Sequence, residues 1–235
     1  MIDRYSRKEI KLIWEDKNKY SIWLQIELAA AEAMERLKLI PRGVSKKIKK
    51  RANINPRRIN EIEKIVKHDV IAFLTSINEK AGPLSRYLHK GMTSSDVLDT
   101  CFNIQLKQSA QILLNDIEIL LKNLKKQSLK HKYTLCIGRS HGIHAEPLTF
   151  GLKLLSFYQE FLRNKKRLIS AIDEIFTCAI SGAVGTFANI DPRVETYVSK
   201  KLGLKVEPIS TQVIPRDRHA YFLSTLAVIA RSIER

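Results

Sequence analysis

From about Ser95 to Lys130 the chain runs without a single glycine or proline, and apolar residues return every three or four positions. They are Val97, Cys101, Ile104, Ala110, Leu113, Ile117, Leu120 and Leu124. That spacing predicts one helix of roughly 35 residues, against a usual mean near 12. A helix so long cannot bury its apolar stripe alone, so helices of matching length must lie against it. A second long stretch follows Glu146-Pro147 and is expected to run to about Ile180, with Leu148, Leu152, Leu155, Leu162, Ile172 and Ile175 inward. The predicted fold is therefore mainly α, an elongated long-helix bundle.

Before Gly91 the helices are shorter. Ser6 and Glu9 have the spacing of a capping box ahead of Ile10, Ile13 and Trp14. A helix over about Ser21 to Leu39 carries Ile22, Ile26, Ala29 and Ala33 and ends at Pro41-Arg42-Gly43. Asn55-Pro56 reads as an N-cap with proline in the first turn, leading Ile59, Ile62 and Val66. Val70, Phe73, Leu74 and Ile77 form another helical set, closed by Gly82-Pro83. The change of character places a boundary at 92: a small helical domain over 1–92, then the bundle over 93–235. Thr134 to Ile137 is the one plausible strand. Asp191-Pro192 opens a helix ended by Gly203, and a last one starts near Pro215 and still runs at Arg235, an uncapped ending that suggests a truncated bundle.

Composition narrows the class. Hydrophobic residues make up 44% and charged ones 28%, a globular mixture rather than a disordered one. No apolar run approaches the roughly 18 residues of a membrane span, and Met1-Ile2-Asp3-Arg4 lacks a secretory stretch, so a cytoplasmic protein with no membrane partner is expected. Cys101, Cys136 and Cys178 lack metal spacing and read as buried free thiols. Forty-one Lys and Arg against 24 Asp and Glu give a formal charge of +17, which attracts anions. The lysines are scattered on helical faces rather than interleaved with aromatics, and no helix-turn-helix or zinc-finger pattern is present. A basic nucleic-acid-binding protein is thus the weaker reading, and no specific nucleic-acid partner is expected.

Polar segments between the long helices carry the chemistry. In Gly91-Met92-Thr93-Ser94-Ser95-Asp96, four capping residues stand where one would do; the segment is either an N-cap or an anion site at a helix N-terminus. Gly138 to Pro147 holds His141, His144, Arg139 and Glu146 with two glycines. Imidazole titrates near neutral pH and suits a general acid. His141 and His144 are not read as a metal pair, since the glycine argues for a loop; His144 is expected to be structural, hydrogen-bonded near Glu146. Ser181-Gly182-Ala183-Val184-Gly185-Thr186 reads first as a tight connection and lacks the pattern of a phosphate loop. Lys67-His68-Asp69 is either a solvated helix end or a proton-handling group. No cofactor motif is present, and neither a metal nor another cofactor is expected.

Taken in order, Arg4-Tyr5-Ser6, His68-Asp69-Val70, Gly91 to Asp96, Gly138 to Pro147, Ser181 to Thr186, Ile209-Ser210-Thr211-Gln212 and Arg216-Asp217-Arg218-His219 resemble the fumarase/aspartase superfamily, over essentially the whole chain. Within it they resemble the adenylosuccinate lyase branch, a group of carbon–nitrogen lyases of purine biosynthesis. The resemblance implies β-elimination of fumarate from adenylosuccinate, giving AMP, and from the succinylated carboxamide ribotide. It implies that His141 is the general acid and His68 a second catalytic histidine. It implies that Arg4, Tyr5, Lys67, His68, Asp69, Thr93, Ser94 and Gln212 line the pocket for a purine nucleotide, with His89 near its phosphate. Ser140, Met92 and Lys67 stand where that branch usually has threonine, leucine and arginine. The branch's catalytic serine, on a Ser-Ser-x-Met-Pro-x-Lys-x-Asn loop, has no counterpart here, so the chain alone is expected to be inactive. A homotetramer with shared active sites is also implied. A truncated non-catalytic relative, or a lyase for another succinyl compound, are the remaining readings.

Overall fold

The computed structural model describes residues 2–234. A 3₁₀ turn, Asp3–Tyr5, precedes α1 (Lys8–Ile13), α2 (Asp16–Arg36), α3 (Val44–Arg51), α4 (Pro56–Val66) and α5 (Asp69–Ala81). A second 3₁₀ turn, Gly82–Tyr87, leads to α6 (Ser94–Lys130). Then come β1 (Leu135–Ser140), β2 (Ile143–Thr149), α7 (Phe150–Glu174), β3 (Thr177–Cys178), α8 (Pro192–Leu202), β4 (Lys205–Val206) and α9 (Asp217–Glu234). The fold is mainly α, as expected. Helix α6 is 37 residues long, or about 55 Å at 1.5 Å per residue.

Packing divides the chain into two compact units: Met1–Gln108 with Phe176–Pro215, and Ser109–Ile175 with Arg216–Arg235. This partition follows packing, and it differs from the division at 92, which follows sequence character. Helix α9 reaches Glu234; the expected continuation at Arg235 lies outside the described residues.

The first unit is organised by α2. Tyr20, Trp23 and Ile26 are buried, and Ala29, Ala30, Ala31 and Ala33 let neighbouring helices approach closely. Trp23 meets Tyr20 and Phe73 edge-on, at centroid distances of 5.1 and 5.5 Å, an orientation that adds to the burial of such rings. Asn55 caps α4 as expected, its side chain accepting from the Arg58 amide, with Pro56 in the first turn. The backbone of 176–182 and 209–214 has little regular pairing, so buried side chains satisfy it. Asn103 donates to the Thr177 carbonyl at 2.8 Å, Glu195 accepts from the Ile180 amide at 2.9 Å, and Asp99 accepts from the Ile214 amide at 2.8 Å.

In the second unit α7 packs along α9, sharing a buried hydrogen bond from Asn164 to Ser232 Oγ at 2.8 Å. Leu168, Ala171 and Ile175 are buried with Phe222. Gly151 lies against the end of α6: a Cβ there would stand 2.4 Å from the Ser128 carbonyl oxygen.

Local expectations fail in places. The capping box at Ser6 and Glu9 does not form, because α1 starts only at Lys8; Ser6 Oγ donates back to the Ile2 carbonyl and Glu9 pairs with Arg7. Helix α2 starts at Asp16 and ends at Arg36, earlier than expected at both ends. Helix α7 stops at Glu174, since the chain there turns extended to pair β3 in parallel with β4. A second strand, β2, joins the one expected, antiparallel to β1. Cys101 and Cys178 are buried free thiols, whereas Cys136 on β1 is only half-buried.

Candidate functional site

Helix α4 ends and α5 begins at one corner, Lys67-His68. Lys67 closes α4 in the left-handed region, at φ +54°, and His68 caps α5. His68 Nδ1 accepts from the Ile71 amide at 3.4 Å. Nδ1 also lies 3.5 Å from an Asp69 carboxylate oxygen, and Nε2 lies 3.4 Å from Ser94 Oγ. Asp69 turns one carboxylate oxygen to the Val70 amide at 2.7 Å. Ser94 is the first residue of α6, so an imidazole and a hydroxyl meet where helical N–H groups favour negative charge.

The Thr93–Asp96 turn is held from below by a buried carboxylate. Asp96 is 2% exposed and accepts from the Thr93, Ser181 and Gly182 amides at 2.9, 3.1 and 3.2 Å. Burial outweighs these three donors and raises its pKa above the ordinary value. Asp96 thus ties two of the signature segments into one frame. Ser181 Oγ lies 2.8 Å from Ser210 Oγ, which brings in the third. Gly185 explains itself here: at φ +78°, a Cβ would stand 2.1 Å from the Ser210 carbonyl oxygen. Gly91 is equally confined, its Cβ position 2.0 Å from the Asn189 carbonyl oxygen.

His141 belongs to the second unit. It forms, with Gly142, the two-residue loop of the β1–β2 hairpin, at φ +54° and +76°. Both values positive are the mark of a type I′ turn, which fits the twist of paired strands. A left-handed conformation for a histidine costs about 1 kcal/mol or more, a strain characteristic of functional positions. The hairpin carries a register shift between Ile137 and Arg139. His144 lies exposed on β2, paired across the strands with Arg139. The hydrogen bond expected near Glu146 does not form, because both side chains point to solvent on an exposed hairpin.

The structure thus joins His68 to Ser94 of the Thr93-Ser94 turn, with the Asp69 carboxylate 3.5 Å from His68 Nδ1. Arg4 and Tyr5 lie exposed on the first 3₁₀ turn, the guanidinium 4.8 Å from the ring centroid. Gln212 lies exposed on the stretch that Ser210 and Ile214 anchor. Among the described residues no hydrogen bond joins Arg4, Tyr5, Lys67 or Gln212 to His68, Thr93 or Ser94. No group of three or more His, Cys, Asp or Glu among the described residues could hold a metal ion, and none of the described helices is long and apolar enough to cross a membrane.

Sequence reasoning missed the buried carboxylates that hold these segments. Glu27 on α2 is fully buried; one oxygen accepts from the His89 amide and the other lies on His89 Nδ1, each at 2.6 Å. The signal was present: Glu27 shares a helical face with Trp23, Ala30 and Met34, where a charge has no place without a partner.

Residues 4–235 match a protein family described as Lyase. The chain belongs to this lyase family. It is 49% identical over 235 residues to the adenylosuccinate lyases of Synechocystis sp. and Bacillus subtilis, covering 100% of this chain and 54% of each of those proteins. Among solved structures, a fumarate lyase from Mesorhizobium sp. BNC1 matches with a TM-score of 0.89 at 26% identity, over 97% of this chain and 56% of that one. The 3-carboxy-cis,cis-muconate lactonizing enzyme from Pseudomonas putida matches with a TM-score of 0.88 at 24% identity, over 99% and 55% of the two chains; that likeness concerns the fold. The chain spans about half the length of the curated relatives it matches.

Proposed function

We propose that this lyase is the N-terminal part of an adenylosuccinate lyase, which splits adenylosuccinate into AMP and fumarate by β-elimination and also cleaves the succinylated carboxamide ribotide. The observation that carries the reading is identity of 49% along the entire chain to two adenylosuccinate lyases. The His68–Ser94 pair at the N-terminus of α6 supports it, since the substrate bears a phosphate and two carboxylates. In this reading a base removes the proton β to the leaving nitrogen, and the electron pair forms the fumarate double bond as the carbon–nitrogen bond breaks. His141 gives its proton to the departing nitrogen. His68 donates through Nε2 to the substrate and steadies its protonation, while Arg4, Tyr5, Lys67, Asp69, Thr93, Ser94 and Gln212 line the pocket.

The base itself is assigned to the serine loop of the part of the relatives that this chain does not span. The assembled enzyme is a cytoplasmic homotetramer whose sites draw residues from several subunits. No metal or organic cofactor has a role in this scheme.

The test joins the chain to the remaining segment of the Bacillus subtilis relative and follows fumarate release. Adenylosuccinate is expected to be cleaved and argininosuccinate left intact; the reverse would reassign the substrate. His141→Gln should lower turnover by at least about 100-fold, the usual yield of general acid catalysis. Unchanged turnover would remove His141 from that role.

A further inference from the structure

His89 is gripped at both its backbone and its ring. It follows the 3₁₀ turn Gly82–Tyr87 and stands at φ +59°, a left-handed conformation that a residue with a Cβ adopts only under constraint. The constraint is Glu27, which lies 62 positions earlier and takes both the backbone N–H and ring Nδ1 of this one residue. A fully buried carboxylate is costly unless paired, so the two form a unit: neither charge is tolerable there without the other. Asp96, on α6, is the other acid acting on the ring. Burial alone would lower the His89 pKa, but the hydrogen bond and charge of Glu27, with Asp96 behind it, raise it above the ordinary histidine value.

With Nδ1 committed to Glu27, Nε2 has no protein partner among the described residues, and the side chain keeps 17% of its surface exposed. Two residues on, Gly91 opens the Thr93-Ser94 turn, so the same backbone that Glu27 locks also sets where that turn begins.

We propose that Glu27 is a positioning residue, which fixes the His89 ring and the backbone turn beneath it so that Nε2–H is presented as a donor to a phosphate group of the substrate. This rests on the nucleotide reading above, but its test needs no turnover. The His89 ring would be followed by NMR over a pH titration in the 235-residue chain, wild type against Glu27→Gln, with inorganic phosphate as the probe. Glutamine keeps an acceptor for the His89 amide and removes the charge. The ring of the variant should titrate at or below the ordinary histidine value rather than above it. Phosphate should bind about tenfold more weakly near neutral pH, the scale of one charge-assisted hydrogen bond.

Should Glu27→Gln fail to fold, Glu27→Asp retains the charge with a shorter reach, and the His89 titration should then stay raised while phosphate binding weakens. An unmoved titration in Glu27→Gln overturns the proposal. So does a moved titration with unchanged phosphate affinity, which would leave Glu27 a structural partner only. If both readouts move and the joined enzyme still fails to cleave adenylosuccinate, the nucleotide reading falls and the role of Glu27 at an anion site stands.

Discussion

The two units of this chain handle apolar surface differently. In the unit of Met1–Gln108 and Phe176–Pro215, large side chains converge on one continuous core that extends from Tyr20 and Trp23 through Phe73 to Ile190 and Val198. The unit of Ser109–Ile175 and Arg216–Arg235 has long helices, yet Ile119, Leu129, Leu152, Leu223, Val228 and Ile233 are exposed. Within it α6, α7 and α9 line an open apolar groove with Leu113, Ile117, Leu120, Phe161, Leu226 and Ile229. A short helix among short helices can be covered by its neighbours in the same chain. A long one exposes faces in proportion to its length, and three such helices leave some of them open. The difference supports the proposed oligomer, in which helices of other subunits would meet these faces.

The strongest way to break the comparison is to truncate a side chain in each unit. Trp23→Ala should cost about 3–5 kcal/mol in urea unfolding followed by circular dichroism, whereas Ile233→Ala should stay within about 0.5 kcal/mol. Equal costs would mean that the second unit has a closed core of its own. Glycines give the next largest effect. Gly185 and Gly142 share nearly the same φ, +78° and +76°, but a Cβ meets the Ser210 carbonyl oxygen at 2.1 Å in one case and open space in the other. Gly142→Ala should cost about 1 kcal/mol for the left-handed conformation alone, and Gly185→Ala roughly 3 kcal/mol because backbone must also move.

A pH-dependent effect should follow in the first unit. Burial raises the Glu195 pKa, against the Ile180 amide that it accepts from and with the charges of Asp96 and Glu207. The folded state therefore holds this proton longer than the unfolded one, so the contribution to stability is complete below about 4.5 and fades as pH rises through the raised folded value. Glu195→Gln, which resembles the protonated form, should gain on the wild type across that rise; a constant difference at every pH would contradict the raised value. The smallest effect should be alike in both units, because helix capping is local. Asn55→Ala at α4 and Thr149→Ala at α7 remove side chains that accept from the Arg58 and Leu152 amides, and each should cost about 1 kcal/mol.

These contrasts mark what the sequence could reveal. Periodicity identified α6 to within one residue and the Asn55 cap directly, since both depend on neighbours in the chain. The second strand escaped because Ile143 to Thr149 mixes polar residues with a proline and is nearly all exposed, so no alternation could show. The Ser6-Glu9 box failed because a cap motif works only where the helix begins, and packing decided that point. The candidate residues were legible as motifs. Their support was not: Glu27 reaches His89, and Asp99 reaches Ile214, across 62 and 115 positions. Such pairs exist only once the fold has brought them together.

The three cysteines give the protein a graded reactivity. Burial pushes the Cys101 thiol up to about 12 and Cys178 higher still, where the buried acids Glu195, Asp96 and Glu207 add to it. Thiolate, not thiol, attacks an alkylating reagent, so both should stay silent in the native protein. Cys136, half-buried on the strand that leads to His141, is the remaining thiol. A maleimide dye or spin label added to the unmodified chain should therefore settle on that hairpin, giving a reporter beside the candidate general acid without any mutation. Slow labelling of the other two would then time the opening of the core.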